Sequence, residues 1–99
     1  MQVELKGKRA TAEVEGEPGL SVLDLALKHN VEWGFSCTRG TCARCRCLVS
    51  EGMELLEEAT DAEWDRLGDE ELEQGYRLGC QAVLRIGEGR VSAENKTYF

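Results

Sequence analysis

Gly34 to Cys45 reads GFSCTRGTCARC, and Arg77 to Gln81 reads RLGCQ. The first stretch is small and polar with two glycines, and neither helical nor strand periodicity runs through it, so it reads as a loop shaped around something. Its cysteines, Cys37, Cys42 and Cys45, are spaced C-x4-C-x2-C, and Cys80 follows Cys45 after 34 intervening residues. The chain has five cysteines in all, an odd number that cannot pair completely within one molecule. No apolar leader follows a basic start in residues 1–20, so a reducing, cytoplasmic setting is expected. There, cysteines serve metal ligation or redox chemistry sooner than a disulfide framework.

Two irons bridged by two sulfides need four thiolates, and a loop carrying three with a distant fourth closing the site is the plant-type 2Fe-2S arrangement. Gly40 lets backbone amides approach anionic cluster sulfurs, and Ser36 and Thr41 are small enough to do the same. A four-thiolate zinc site accepts the same ligands. Its usual form, however, is two short C-x2-4-C knuckles, whereas Cys80 stands alone. A Rieske centre needs two histidines, and His29 is the only one. Cys47, two residues past Cys45, reads as a core-facing residue alternating with Arg46 and Leu48. The sharper alternative makes it a substitute ligand or a reserve thiol under oxidation.

Outward from the loop, Gln2–Leu5 and Arg9–Glu15 alternate about a Lys6-Gly7-Lys8 turn, a starting hairpin. Ser21 with Asp24 opens a helix to about His29, which caps its C-terminal end. On that helix Leu23 and Leu27 join the apolar face, and Asp24 and Lys28 pair on the wet one. A short strand runs from Cys47 to Gly52. Thr60 with Glu63 opens a helix over residues 61–67, Gly68 interrupts it, and another turn covers Asp69–Glu73. Ala82–Ile86 and Arg90–Ala93 read as a closing pair of strands. Trp33 and Trp64 read as core or edge packing.

Ninety-nine residues make one domain, 1–99, with 41% hydrophobic and 31% charged residues. A chain this short buries only roughly 60 to 65% of its unfolded surface, so a bound metal contributes usefully to stability. A formal charge of −7 repels phosphate backbones and anionic headgroups, which excludes nucleic acid and membrane surfaces as partners. Eleven acids fall between Glu51 and Gly75, with Arg66 the only base among them. Such a field steers a basic partner; its plainer reading is a solvated face. One histidine and no GxGxxG or P-loop leave no catalytic set to argue for.

With CTRGTCARC and RLGCQ in place, the chain resembles the plant-type, or β-grasp, 2Fe-2S ferredoxin family over nearly its whole length. The x4 gap is plant-like, while RLGCQ and the acidic stretch before it are similar to the adrenodoxin branch. The resemblance implies an α+β β-grasp (ubiquitin-like) fold, with a mixed sheet, one main helix and shorter helices. It implies Cys37, Cys42, Cys45 and Cys80 as ligands of one 2Fe-2S cluster. It also implies a monomeric one-electron carrier, not an enzyme, working from a flavin-dependent reductase to an oxygenase or other acceptor. An added electron beside so many acids disfavours the reduced form, and loop amides with Arg39 and Arg44 oppose that. A potential on the order of a few hundred millivolts negative is therefore expected. The rival reading is a structural or redox-sensing module, zinc or cluster, without a carrier role.

Overall fold

The computed structural model describes residues 1–7, 10–33 and 45–96. Cys37 and Cys42, with Ser36, Arg39, Gly40, Thr41 and Arg44, lie outside the described residues, as do Arg9, Tyr98 and Phe99.

The alternation in the first fifteen residues becomes an antiparallel pair, β1 (Gln2–Lys6) and β2 (Thr11–Glu15), with Val3 opposite Val14 and Leu5 opposite Ala12. Val3 and Leu5 turn fully into the core. Three further strands complete one mixed sheet: β3 (Arg46–Glu51), β4 (Tyr76–Leu78) and β5 (Arg90–Asn95), in the order β2-β1-β5-β3-β4. The central strand β5 runs parallel to β1 and antiparallel to β3. It alternates Val91 and Ala93 inward, both fully buried.

Helix α1 (Val22–Lys28) begins where expected. Ser21 Oγ accepts the Asp24 amide at 3.0 Å, and the Asp24 carboxylate takes the Ser21 amide at 3.4 Å. Val22, Leu23, Leu25 and Ala26 share the core with β1, β3 and β5. Each fully buried leucine of this set contributes about 2 kcal/mol through lost apolar surface. His29 occupies the C-cap position. Two details differ from the sequence expectation. Leu27 is 43% exposed, because at 3.6 residues per turn it falls between Leu23 and the solvated Asp24, at the margin of the buried face. Lys28 pairs with Glu17 at 2.6 Å instead of Asp24, whose carboxylate serves the cap.

Helix α2 (Asp61–Glu73) carries the second capping box, Thr60 with Glu63, and is broken at Gly68, whose φ of 77° and ψ of 171° are not helical. A 3-10 turn, Met53–Leu55, precedes it and was not evident from the sequence. The expected strand over Ala82–Ile86 does not form. Val83 and Leu84 make single bridges to Ser21 and Leu56, residues outside the named strands, so the segment is closed on from both sides without a continuous ladder. The Leu84 amide donates to Leu20 O at 2.9 Å and the Arg85 amide to Leu55 O at 2.8 Å. β5 therefore closes the sheet without a hairpin partner from this segment.

Candidate metal centre

Cys45, the last cysteine of the C-x4-C-x2-C stretch, lies in a turn just before β3, and Cys80 follows β4. The fold brings them together. The Cys80 amide donates to Cys45 Sγ at 3.5 Å, and the two side chains hydrogen-bond to each other. Gln81 Nε2 lies 3.6 Å from Cys80 Sγ and donates to it. Amide donors aimed at sulfur stabilise negative charge there, as a thiolate ligand requires. The Cys45 carbonyl is fixed in turn by the Gly79 amide at 3.0 Å and the Trp33 indole N–H at 3.2 Å.

Gly79 makes this approach possible. A Cβ there would stand 2.9 Å from Cys45 O and 3.1 Å from Trp33 Nε1, so any side chain would push the two cysteine-bearing segments apart. The Cys80 segment is held from both helices. At the start of α1, where backbone amides lack intrahelical acceptors, the Leu23 amide donates to Gly79 O at 3.0 Å and the Val22 amide to Ala82 O at 2.9 Å. At the start of α2, Thr60 Oγ1 donates to Gln81 Oε1 at 3.1 Å.

Glu63 supplies the strongest hold. Its side chain is fully buried, and its carboxylate receives Arg77 Nε at 2.6 Å, Arg77 Nη2 at 3.0 Å, the Leu78 amide at 3.0 Å and the Thr60 amide at 3.0 Å. Four donors fill the acceptor sites of an ionised carboxylate. The fork geometry is the bidentate arrangement that makes guanidinium–carboxylate pairs strong. The sequence shows Glu63 only as a helix cap and a member of the acidic run. The structure removes it from the acidic face and makes it the brace of the segment that presents Cys80.

Cys47 belongs to a different environment. It lies in β3 with its side chain wholly buried, opposite Arg77 in β4 and Asn95 in β5, so the structure places it as the core residue that strand alternation predicts. Burial, with Arg77 opposing, pushes its thiol up to about 12, which makes it unreactive. The Cys45 thiol is also raised, first by the hydrogen bond with Cys80 and then by burial. Iron held there would take the place of the thiol proton on sulfur.

The donor set fits an iron–sulfur group: soft sulfur ligands from two distant segments, amides directed at sulfur, and a glycine where the segments touch. Among the described residues no cluster of three or more His, Cys, Asp or Glu side chains forms a metal site, since Cys37 and Cys42 lie outside them.

Residues 3–85 match the family of 2Fe-2S iron-sulfur cluster binding domains. The chain is 36% identical over 75 residues to a 2Fe-2S ferredoxin of Pseudomonas aeruginosa, an alignment covering 74% of this chain and 67% of that one. It is 37% identical over 62 residues to the ferredoxin reductase component of a 3-ketosteroid-9-alpha-monooxygenase of Rhodococcus rhodochrous, covering 63% of this chain and 16% of that one. Among solved structures, the ISC-like 2Fe-2S ferredoxin of Pseudomonas putida superposes with a TM-score of 0.78 at 30% identity, covering 98% of this chain and 93% of the other. The fold is therefore the β-grasp of the 2Fe-2S ferredoxins, and the relatives named 2Fe-2S ferredoxins are electron-transfer proteins rather than enzymes. With its paired cysteines, its sheet order and these likenesses, the chain belongs to the 2Fe-2S iron-sulfur cluster binding family, whose cofactor is one 2Fe-2S cluster.

Proposed function

We propose that this chain is a single-domain one-electron carrier, residues 1–99, holding its cluster on Cys37, Cys42, Cys45 and Cys80. The observation that carries this reading is the Cys80 amide on Cys45 Sγ at 3.5 Å, which unites the last cysteine of the loop with the distant fourth. The bound cluster supplies one-electron chemistry; the protein supplies thiolates, amides directed at sulfur and a braced segment. Cys37 and Cys42 enter from their spacing and from family membership.

The electron donor in this proposal is a flavin-dependent reductase, and the acceptor is an oxygenase or another enzyme. Support comes from relatives named as the ferredoxin reductase component of a monooxygenase and as the electron transfer component of toluate 1,2-dioxygenase of Pseudomonas putida. The partners dock on the acidic face. Glu51, Glu54, Glu57, Glu58, Asp61, Asp65, Asp69, Glu70 and Glu73 are exposed there, Glu71 is half-buried against Arg46 at 2.7 Å, and Glu63 is withdrawn. The proposed carrier works as a monomer in the cytoplasm. No helix among the described residues is long and apolar enough to cross a membrane.

The test is an anaerobic absorption spectrum before and after dithionite, with iron, sulfide and zinc assayed on the same sample. Iron and sulfide near two each, bands that bleach reversibly, and a paramagnetic reduced state are expected. Cys80→Ser should lose the native spectrum, while Cys47→Ala should keep it. A colourless zinc protein that cannot be reconstituted with iron would overturn the carrier reading in favour of a structural module.

A further inference from the structure

Between the 3-10 turn and α2 lies a groove of about 490 Å³ whose lining includes no cysteine. Met53, Leu56, Trp64 and Leu72 give it an apolar lining. Trp64 is 48% exposed, whereas the chain's other tryptophan, Trp33, is only 4% exposed. A large aromatic left half in water over an apolar depression is the usual composition of a contact anchor, not of a solvated helix face.

The groove is also strongly polarised. Glu54, Glu57, Glu58 and Glu73 line it, and all four are exposed. Two guanidinium groups share the lining. Arg77 is committed to Glu63 and donates its remaining Nη1 toward Met53 Sδ at 3.5 Å. Arg85 stands beside Glu57, with 3.8 Å between Nε and Oε1, and that Nε makes no hydrogen bond. Glu54, Glu58 and Glu73 thus face the groove with no guanidinium of its lining committed to them.

We propose that this groove seats one basic side chain, lysine or arginine, presented on an apolar stretch of the redox partner's surface. Its methylene stem lies on Met53, Leu72 and the indole face of Trp64, and its charged head reaches Glu54, Glu58 and Glu73. An aliphatic stem with a cationic end is the one side-chain chemistry that satisfies both an apolar floor and an anionic rim. The aromatic face adds a cation–π contact. A purely apolar partner would desolvate the carboxylates without compensation, and an acidic one would be repelled. Arg77 in the lining precedes Cys80 by three residues, so the chain between them spans at most about 11 Å. An anchor seated here therefore holds the partner against the part of the molecule that presents the fourth ligand. This proposal rests on the carrier reading and adds to the acidic face a defined anchor and a named aromatic.

The experiment uses cluster-loaded protein and three octapeptides alternating Leu with Arg, Ser with Arg, and Leu with Glu. Affinity is measured by isothermal titration calorimetry, and the site of binding is located by the two indole N–H resonances, assigned with Trp64→Phe. The Leu/Arg peptide should move the Trp64 resonance and leave that of Trp33 in place. It should bind at least tenfold more tightly than the other two, and lose about tenfold in affinity in Trp64→Ala and again in the combined Glu54→Gln, Glu58→Gln, Glu73→Gln variant. The unchanged Trp33 resonance and cluster spectrum report that these variants remain folded. Equal binding of the Leu/Arg and Ser/Arg peptides, indifferent to Trp64→Ala, would overturn the groove and leave docking to charge alone. Equal binding of the Leu/Glu peptide, or no binding of the Leu/Arg peptide, would overturn it as well. Reversible reduction, measured on the same sample, tests the carrier reading separately.

Discussion

At the scale of single residues, the Glu63–Arg77 pair decides how firmly Cys80 is presented. Both side chains are almost completely buried, at 0% and 4% exposure, so neither charge has water to fall back on. Removing one partner leaves the other buried and uncompensated, at a cost of about 3 kcal/mol or more. Glu63→Gln is accordingly expected to lower the denaturant midpoint of the holoprotein and speed loss of its visible absorption. Replacing both, as Glu63→Leu with Arg77→Met, should recover much of the loss. A double variant no better than the single would show that Glu63 matters for its bonds to the Thr60 and Leu78 amides instead. Sequence reading reaches only part of this. Thr60 and Glu63 are three apart, so their local bond is legible as a cap. The Arg77 partner lies fourteen residues away, and spacing says nothing of where β4 will return. Cys80 is farther still, 35 residues from Cys45, yet its approach to Cys45 is suggested by the sequence, because the ligand demand of a metal cluster imposes a pattern on cysteine that a salt bridge does not impose on glutamate. Gly79 is the opposite case: its need for no Cβ arises only once Cys45 and Trp33 have been brought against it.

At the scale of elements, the break in α2 and the outer face of the sheet carry two expectations. Gly68 has φ 77° and ψ 171°, a region essentially closed to residues with a Cβ, and its own surroundings are open. Gly68→Ala should cost about 1 to 3 kcal/mol from the backbone alone, read as a fall in the unfolding midpoint. D-alanine at the same position, whose preferred dihedrals mirror those of L-residues, should restore it. If L-alanine were neutral, the two helical halves would have to have joined into one, a change visible in their amide resonances. On the sheet, Arg90 of β5 reaches Glu13 in β2, Glu4 in β1 and Glu51 in β3, so one guanidinium spans four strands. Glu4 is held below its ordinary value, first by the hydrogen bond from Ser92 at 2.8 Å and then by Lys6 and Arg90, with burial opposing. A depressed carboxyl contributes stability above its unfolded pKa of about 4.3 and loses it as pH falls through the folded value. Carbon-13 titration of the Glu4 carboxyl should show the depression, and Ser92→Ala should relieve most of it. An unchanged titration in that variant would assign the shift to Arg90 and Lys6. The hairpin, both capping boxes and the interruption at Gly68 are legible because each is written in adjacent residues. The pairing of β5 with β1 is not, since it joins segments almost ninety residues apart, and alternation over Ala82–Ile86 looks like a strand although its neighbours give it only isolated bridges.

At the scale of the whole molecule, charge and architecture converge on α2. Of its acids Glu63 is fully buried and Glu71 is half-buried against Arg46; Asp61, Asp65, Asp69, Glu70 and Glu73 remain exposed, on a chain whose formal charge is already −7. Glu63 ties the helix to Arg77 and Leu78, and Thr60 ties its first turn to Gln81, so the outward charges are fixed relative to Cys80 on both sides. In the proposed carrier, a field built this way would attract a basic acceptor from a distance and orient it toward the segment that carries Cys80. Because the Debye length is about 8 Å at physiological ionic strength, the attraction acts mainly at low salt. Reversing Asp65, Asp69 and Glu70 to lysine adds six charges and brings the formal total from −7 to −1. The second-order rate of electron transfer from the reduced protein to a basic acceptor such as cytochrome c should then fall at least tenfold at low salt, within the span that steering provides. The two proteins should converge as salt rises, since the native rate falls steeply and the variant's barely changes. The same number of reversals at the opposite edge of the sheet from β4, at Glu13, Glu15 and Glu17 in β2 and the segment after it, gives an equal change in net charge without touching α2. A comparable loss in that control would mean that net charge alone governs encounter. A loss confined to the α2 variant assigns the docking direction to the helix that braces Cys80.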